Sequence, residues 1–436
     1  MLPIHAISGL PEAAAILGRL AARGDADAGT PVTASVAAIL ADVKERGLAA
    51  LVEYTRRFDA PEFSEERFAL PPEALARAAA AIPKEDARVI ADAAANIRNF
   101  HEAQKERSWF QTRDDGAVLG QMVLPVDRAG LYVPGGQGGL TPLLSSLLMN
   151  AIPAQVAGVS EIAVISPPRA DGGINPYILA TAHMLGISEV YASGSAWAVA
   201  ALAYGAGPLC PVDVIAGPGN IYVATAKRLL IGTVGIDMIA GPSEVCIVAD
   251  ASANPAWAAA DMLSQAEHDP LASAVLIAAD ENLARAVAGE LEKQTAELPR
   301  ADIARASLTG YGAIFSVPDL ATAMELANAI APEHLELLVD DPWALLPLVR
   351  HAGAVFMGHY SAEPLGDYFA GPNHVLPTMG TARFSSALSV QTFCKKTSVI
   401  AASAAFARGG AEAVARLARL EALEGHARSA LCRLEK

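Results

Sequence analysis

Between residues 129 and 242 the chain alternates short, unbroken apolar runs with longer segments of helical character. The runs are AGLYV, EIAVIS, EVYAS and VDVIAG. An apolar run without polar alternation suits a strand covered on both faces, which is the setting of a parallel sheet. Strand–helix–strand order then predicts βαβ units. A second block after Ser243 repeats the pattern, with SEVCIVAD, a helix through NPAWAAADMLSQAEHD, SAVLIAAD, and then GAIFSV, EHLELLV and GAVFMG. The expected fold class is α/β. Whether the two blocks are duplicates stays open. Two stretches before residue 108 space apolar residues three and four apart with charges between, as amphipathic helices do. The end of the chain holds a further helix rich in Ala, Arg and Leu.

Composition narrows the function classes. A chain of 436 residues with 53% hydrophobic content is large and apolar enough for two or three packed domains. Its net charge of −15 and lack of a basic run argue against nucleic acid and anionic membranes as partners. Residues 129–160 carry no charge, but Pro134, Pro142, Pro153 and a glycine cluster interrupt them, so a buried core is expected rather than a membrane span. Cys210, Cys246, Cys394 and Cys432 form no C-x-x-C pair, so neither a disulfide framework nor a thiolate metal site is expected. The N-terminus shows no basic region before an apolar core, so a cytoplasmic address is expected.

Five features carry polar chemistry. Tyr132-Val-Pro-Gly135-Gly136 and Gly217-Pro-Gly219-Asn220 each follow a strand and precede a helix, where free N–H groups favour anions. Neither is G-x-G-x-x-G, and tight turns alone would explain them. Gln265 and His268 lie three apart on an expected helix face and offer an amide oxygen and an imidazole to a divalent ion; a polar helix end is the plainer alternative. Glu333-His334 sets a carboxylate beside an imidazole, two proton-transfer groups, on what could equally be an exposed helix start after Pro332. A Gly/Pro-rich loop carries Glu363, Asp367, Asn373 and His374, and functional loops have this makeup. Glu421 and His426 sit on the terminal helix, where a lone histidine is usually solvated.

Taken together, the segments GLYVPGG, LLMNAIPAQVAGV, GPGNIYVATAK, GIDMIAGPSEV, LSQAEHD, APEHLEL and GDYFAGPNHVLPTMGTARFSS resemble the histidinol dehydrogenase family, in the family's order and over nearly the whole chain. The resemblance implies NAD-dependent oxidation of L-histidinol to L-histidine, in two hydride transfers through an aldehyde-level intermediate. It implies a zinc ion on Gln265, His268, Asp367 and His426, which holds the substrate rather than generating hydroxide. It gives His334 the role of base for the alcohol proton and Glu333 that of activating water. Substrate contacts map onto Ser243, Glu363, His374 and Glu421, beside Gln265, His268, His334, Asp367 and His426. NAD contacts map onto Tyr132 and Asn220. Where the family commonly carries a Gln that touches NAD, this chain has Trp197, whose indole would stack on the cofactor or mark a shifted helix. The loop after Gly136 looks a few residues longer than usual.

The implied architecture is two incomplete Rossmann-like parallel-sheet domains with helical arms at both ends, in an intertwined homodimer. The expected parts are an arm over residues 1–24, a zinc-side domain over 25–128 and 243–380, an NAD-side domain over 129–242, and a dimerisation tail over 381–436. The tail, with Glu421 and His426, would complete the neighbour's site. Two other readings compete. A paralogue could oxidise another small polar alcohol, such as a sulfonated propanediol, but a sulfonate calls for an added Arg or Lys. A binding protein on this fold would lose Glu333, His334 or a zinc ligand, and none is lost.

Overall fold

A computed structural model of the chain describes residues 2–23, 31–136 and 141–434. The expected lengthening of the loop after Gly136 falls on residues 137–140, outside the described residues.

The α/β expectation holds. One six-stranded sheet runs Ile4–Ala6, Ala313–Ser316, Ser273–Ala278, Glu244–Ala249, His334–Leu338, Ala354–Met357, all parallel. The other runs Ala69–Leu70, Glu189–Ala192, Glu161–Ser166, Arg128–Tyr132, Val214–Ala216, Gly235–Ile236, parallel except for its first strand. In both, the first strand of the βαβ block lies fourth from one edge. The second and third lie on one side of it, and the chain then crosses back to the other side. An earlier segment adds the outermost strand in each case. The two blocks share one topology.

Burial explains the apolar runs. Val245, Ile247 and Ala249 enter one core cluster, while Cys246 and Val248 enter another on the opposite face. Every residue of Glu244–Ala249 is buried, so no position in that strand needs to be polar for solvent.

The domain boundaries need correction. Helices Pro31–Arg46, Leu48–Phe58, Pro72–Ala81 and Lys84–Glu102 share a core with the second sheet: Val36, Leu51, Leu75 and Ile97 pack with Leu131, Ile165 and Ala216. Residues 31–102 thus belong with the second sheet, the expected NAD side, and not, as expected, with the first. The amphipathic pattern announced a partner surface but did not say which. The N-terminal arm joins the first sheet: Ile4–Ala6 pairs with Ala313–Ser316 at its edge, ahead of helix Leu10–Ala21.

The tail is separate. Strand Cys394–Ala401 pairs antiparallel with Val118–Pro125, which pairs with Trp109–Thr112. Helices Ala404–Leu420 and Glu424–Leu431 follow, with a small cluster of their own around Ala415, Ala418 and Ala427. Phe110, Ile400, Leu417 and Leu420 on this unit are exposed. Among the described residues no helix is long and apolar enough to cross a membrane.

Candidate active site

The first sheet presents its polar residues where its strands begin. Glu244 and His334 open neighbouring strands, and Glu333 immediately precedes one. This corrects the expected helical placement of Glu333 and His334: His334 opens a buried strand and Glu333 directly precedes it, 3% and 6% exposed, and neither lies at a wet helix start. The run EHLELLV is a covered parallel strand, so its period gives no helix signal.

Glu244 ties the pair together. Its main-chain N–H donates to Glu333 Oε2 at 2.8 Å, and its carboxylate accepts the Glu333 N–H at 3.3 Å. His334 Nδ1 lies 2.9 Å from the Glu244 carbonyl. A carbonyl only accepts, so Nδ1 carries the hydrogen and Nε2 is the basic nitrogen. Nε2 is buried without a hydrogen-bond partner, 3.7 Å from Asp367 Oδ1.

Glu363 and Asp367 arrive from the short helix Glu363–Tyr368, where the sequence suggested only a loop. Glu336 accepts the Glu363 main-chain N–H at 3.0 Å, and Ser264 Oγ donates to Glu363 Oε2 at 2.7 Å. His374 sets Nδ1 3.0 Å from the Asp367 carbonyl. Gln265 ends in a buried Oε1 with no partner. Helix Pro255–Ala266 stops just before His268, which occupies the following turn, more exposed than a shared helix face implied. His268 still lies near enough for its charge to act on Glu363, Asp367 and His374. Ser243, half-buried, directly precedes Glu244.

One atom each from His334, Glu363 and Asp367 lie within 4.8 Å of one another, a spacing that fits a metal ion. With the orphaned Gln265 Oε1, these groups are all N and O donors, as zinc accepts. The geometric trio differs from the set the resemblance implies: Asp367 is common to both, while His334 and Glu363 are additions. The buried orphan atoms on Gln265 and His334 fit a cation that the protein itself does not supply. Beside the cluster lies a cavity of about 490 Å³ lined by His334, Phe356, Asp367, Asn373 and His374 among others. Among its lining residues there is no Lys or Arg.

The electrostatics are those of buried acids. Burial pushes Glu333 up to about 8, the charge of His334 partly offsetting it. Burial works against a charged His334, but Glu333, Asp367 and Glu363 outweigh it and raise the ring to about 10. Burial likewise raises Glu363, Glu336 and Asp261. Asp367 goes the other way: burial opposes its charge, but contact with His334 and the charge of His374 hold it down. Burial lowers His374. A site with this many carboxylates and orphan acceptors favours positive ligands.

The second sheet presents its residues where its strands end. Tyr132 closes Arg128–Tyr132, is buried, and its hydroxyl accepts from the Ser195 N–H at 3.2 Å. Gly217 follows Val214–Ala216 at φ +123°, and a Cβ there would meet the Tyr132 carbonyl at 2.1 Å. Only glycine fits. Asn220 caps helix Ile221–Leu229, accepting from Tyr222 and Val223 N–H. Trp197 is 5% exposed and stacks on Tyr54 and Phe58 at 5.6 and 5.4 Å. It packs helix Leu48–Phe58 against Ser195–Tyr204.

Glu421 and His426 are not brought to this site within the chain. Both are exposed on the tail. The residues that sequence reasoning missed are Glu244, Glu336 and Asp261, all buried beside the cluster. Their one signal is a lone carboxylate opening or interrupting an apolar run, as in SEVCIVA and HLELL.

A family model described as "Histidinol dehydrogenase" matches residues 22–434. The chain belongs to the histidinol dehydrogenase family. It is 64% identical over 414 residues to the histidinol dehydrogenase of Nitratidesulfovibrio vulgaris, covering 95% of this chain and 94% of that one. It is 66% identical over 396 residues to that of Oleidesulfovibrio alaskensis, covering 91% of each. A crystal structure of histidinol dehydrogenase from Elizabethkingia anophelis superposes with a TM-score of 0.92 at 33% identity, covering 100% of this chain and 99% of that one.

Proposed function

We propose that this chain oxidises L-histidinol to L-histidine in the cytoplasm, as the last oxidation of histidine biosynthesis, with zinc and NAD⁺. The observation that carries the reading is the gathering of one donor atom each from His334, Glu363 and Asp367 within 4.8 Å of one another, beside a cavity whose lining holds no Lys or Arg. The residues present fit zinc and an NAD⁺ phosphate edge. When bound, zinc supplies a fixed positive charge that orients imidazole and amine, and NAD⁺ supplies the hydride acceptor.

The chain's own groups do the proton work. His334 Nε2 takes the proton of the alcohol once a cation held by the neighbouring carboxylates offsets the charges that raise the ring, while Nδ1 stays on the Glu244 carbonyl. Glu333, pushed up by burial, takes a proton from water as it adds to the aldehyde carbon. Glu363 and Asp367 hold the substrate's amine and the metal, and His374 contacts substrate. Gln265, His268 and Asp367 form the metal set on one chain. Tyr132 and Asn220 meet NAD⁺, whose phosphates suit the N-terminus of helix Ile221–Leu229.

His426 and Glu421 complete the site from a second copy. Their exposure, and the apolar surface around Leu417 and Leu420, suit a tail that crosses to a partner in a homodimer. The sulfonate reading loses ground on the cavity, whose lining holds no Lys or Arg to pair with a sulfonate.

The test is the yield of NADH per L-histidinol with zinc-loaded protein and excess NAD⁺. Two NADH with recovered histidine, lost on chelation, supports the reading. One NADH points to failure of the second oxidation. No turnover of histidinol, with turnover of another polar alcohol, overturns it.

A further inference from the structure

Behind the catalytic pair stands a buried ion pair that none of the proposed chemistry uses. Arg23, from the segment after helix Leu10–Ala21, bonds its Nη2 to Glu244 Oε1. The two side chains are 2% and 5% exposed. Arg23 is fully engaged: Nε donates to the Leu20 carbonyl at 3.0 Å, Nη1 to the Leu271 carbonyl at 2.9 Å, and the guanidinium lies over Tyr311 at 5.4 Å. The Glu244 carboxylate in turn accepts the Met379 N–H at 3.1 Å and the Glu333 N–H at 3.3 Å.

We propose that Arg23 and Glu244 are positioning residues for Glu333, so that the N-terminal segment governs the second oxidation more than the first. This rests on the reading above, in which Glu333 activates water. The asymmetry follows from which part of Glu244 touches which residue. His334 is held by the Glu244 carbonyl, a main-chain group fixed by strand pairing. The Glu333 carboxylate also accepts from a main-chain group, the Glu244 N–H, but the Glu333 N–H is held by the Glu244 side chain, and that side chain keeps its place through Arg23. An unpaired buried carboxylate would move or recruit water, and a displacement near 1 Å at a reacting group lowers rate steeply. The loss therefore falls on Glu333 first.

The experiment compares wild type, Arg23→Met, Arg23→Lys and Glu244→Gln, each zinc-loaded. L-histidinol and L-histidinaldehyde are assayed separately, beside thermal stability and zinc affinity. The expected result for Arg23→Met is a fall in kcat on the aldehyde of about tenfold or more. The alcohol step should stay within about threefold, with KM for histidinol and zinc affinity unchanged. Arg23→Lys keeps the charge and should recover part of the aldehyde step. Glu244→Gln should share the skewed loss, since its amide keeps one acceptor but no charge for Arg23. Parallel loss of both steps with falling stability in all three variants would mean a merely structural pair and overturn the proposal. Unchanged aldehyde turnover would overturn it too. A wild type inactive on both compounds would overturn the functional reading and this proposal with it; an active wild type with unskewed variants overturns this proposal alone.

Discussion

The two six-stranded sheets share a strand order, yet one gathers its functional side chains where its strands begin and the other where they end. Ligands of open α/β sheets ordinarily sit outside the carboxyl ends of strands, and the second sheet places Tyr132, Ser195 and Gly217 at those ends. The first sheet does not. The reason lies in the helices. At a carboxyl edge the following helices offer their N-termini, which favour anions such as a pyrophosphate. At an amino edge helices arrive by their C-termini, whose carbonyls favour cations. Gln265 in the last turn of Pro255–Ala266 and Glu333 shortly after Leu320–Ile330 both lie at such ends. On the proposed function, one topology would thus serve a metal and an amine on one sheet and a dinucleotide on the other.

His334→Asn should break the amino edge most severely. Turnover of histidinol should fall about 10²–10⁴-fold, the usual worth of a positioned base. NAD⁺ binding, measured by fluorescence titration, should not change, since the carboxyl edge is intact. A parallel loss of NAD⁺ binding would mean that the two edges are one site.

Gln265→Ala comes next. It removes the buried acceptor that no protein group satisfies. Zinc affinity by chelator competition should fall by about 10–100-fold or more, with little change in folding. Unchanged zinc affinity would place the metal elsewhere along the amino edge.

Gly217→Ala strikes the other edge. The added Cβ meets the Tyr132 carbonyl at 2.1 Å, so backbone must shift. A loss of about 1–3 kcal/mol in stability is expected, with KM for NAD⁺ raised and zinc affinity unaffected.

Asp59→Asn is the mildest. Burial raises Asp59 to about 6, and its buried Oδ2 has no partner. An acid raised on folding is protonated more readily in the native state. Its charge therefore weakens the fold as pH rises through that value, and below the unfolded value of 3.8 the term vanishes. The asparagine should stabilise by about 1–2 kcal/mol at pH 8 and by almost nothing at pH 3.5. Denaturant melts at the two values read this out; equal gains at both would show that charge is not the cause.

Much of the fold was legible because covered strands leave apolar runs such as EVCIVA and SAVLIA. Placement of residues 31–102 was not, since an amphipathic face records that it packs and not what it packs on. Glu333 and His334 were legible as chemistry but not as strand, because full burial erases the period of two. Glu363 was visible as a loop residue. Its burial was not, since that depends on Glu336 and Ser264, distant in sequence. The carboxylates Glu244 and Glu336 hid inside hydrophobic stretches.

The tail leaves His426 and Glu421 exposed, although they are proposed to assist a buried site. If the tails are exchanged as proposed, each working centre would draw its parts from two chains. A chain with His334→Asn and a chain with His426→Ala would each fail alone. Mixed, they would rebuild one sound centre in every heterodimer, from the intact core of one and the intact tail of the other. Two faulty alleles would then restore growth without added histidine where neither does so singly.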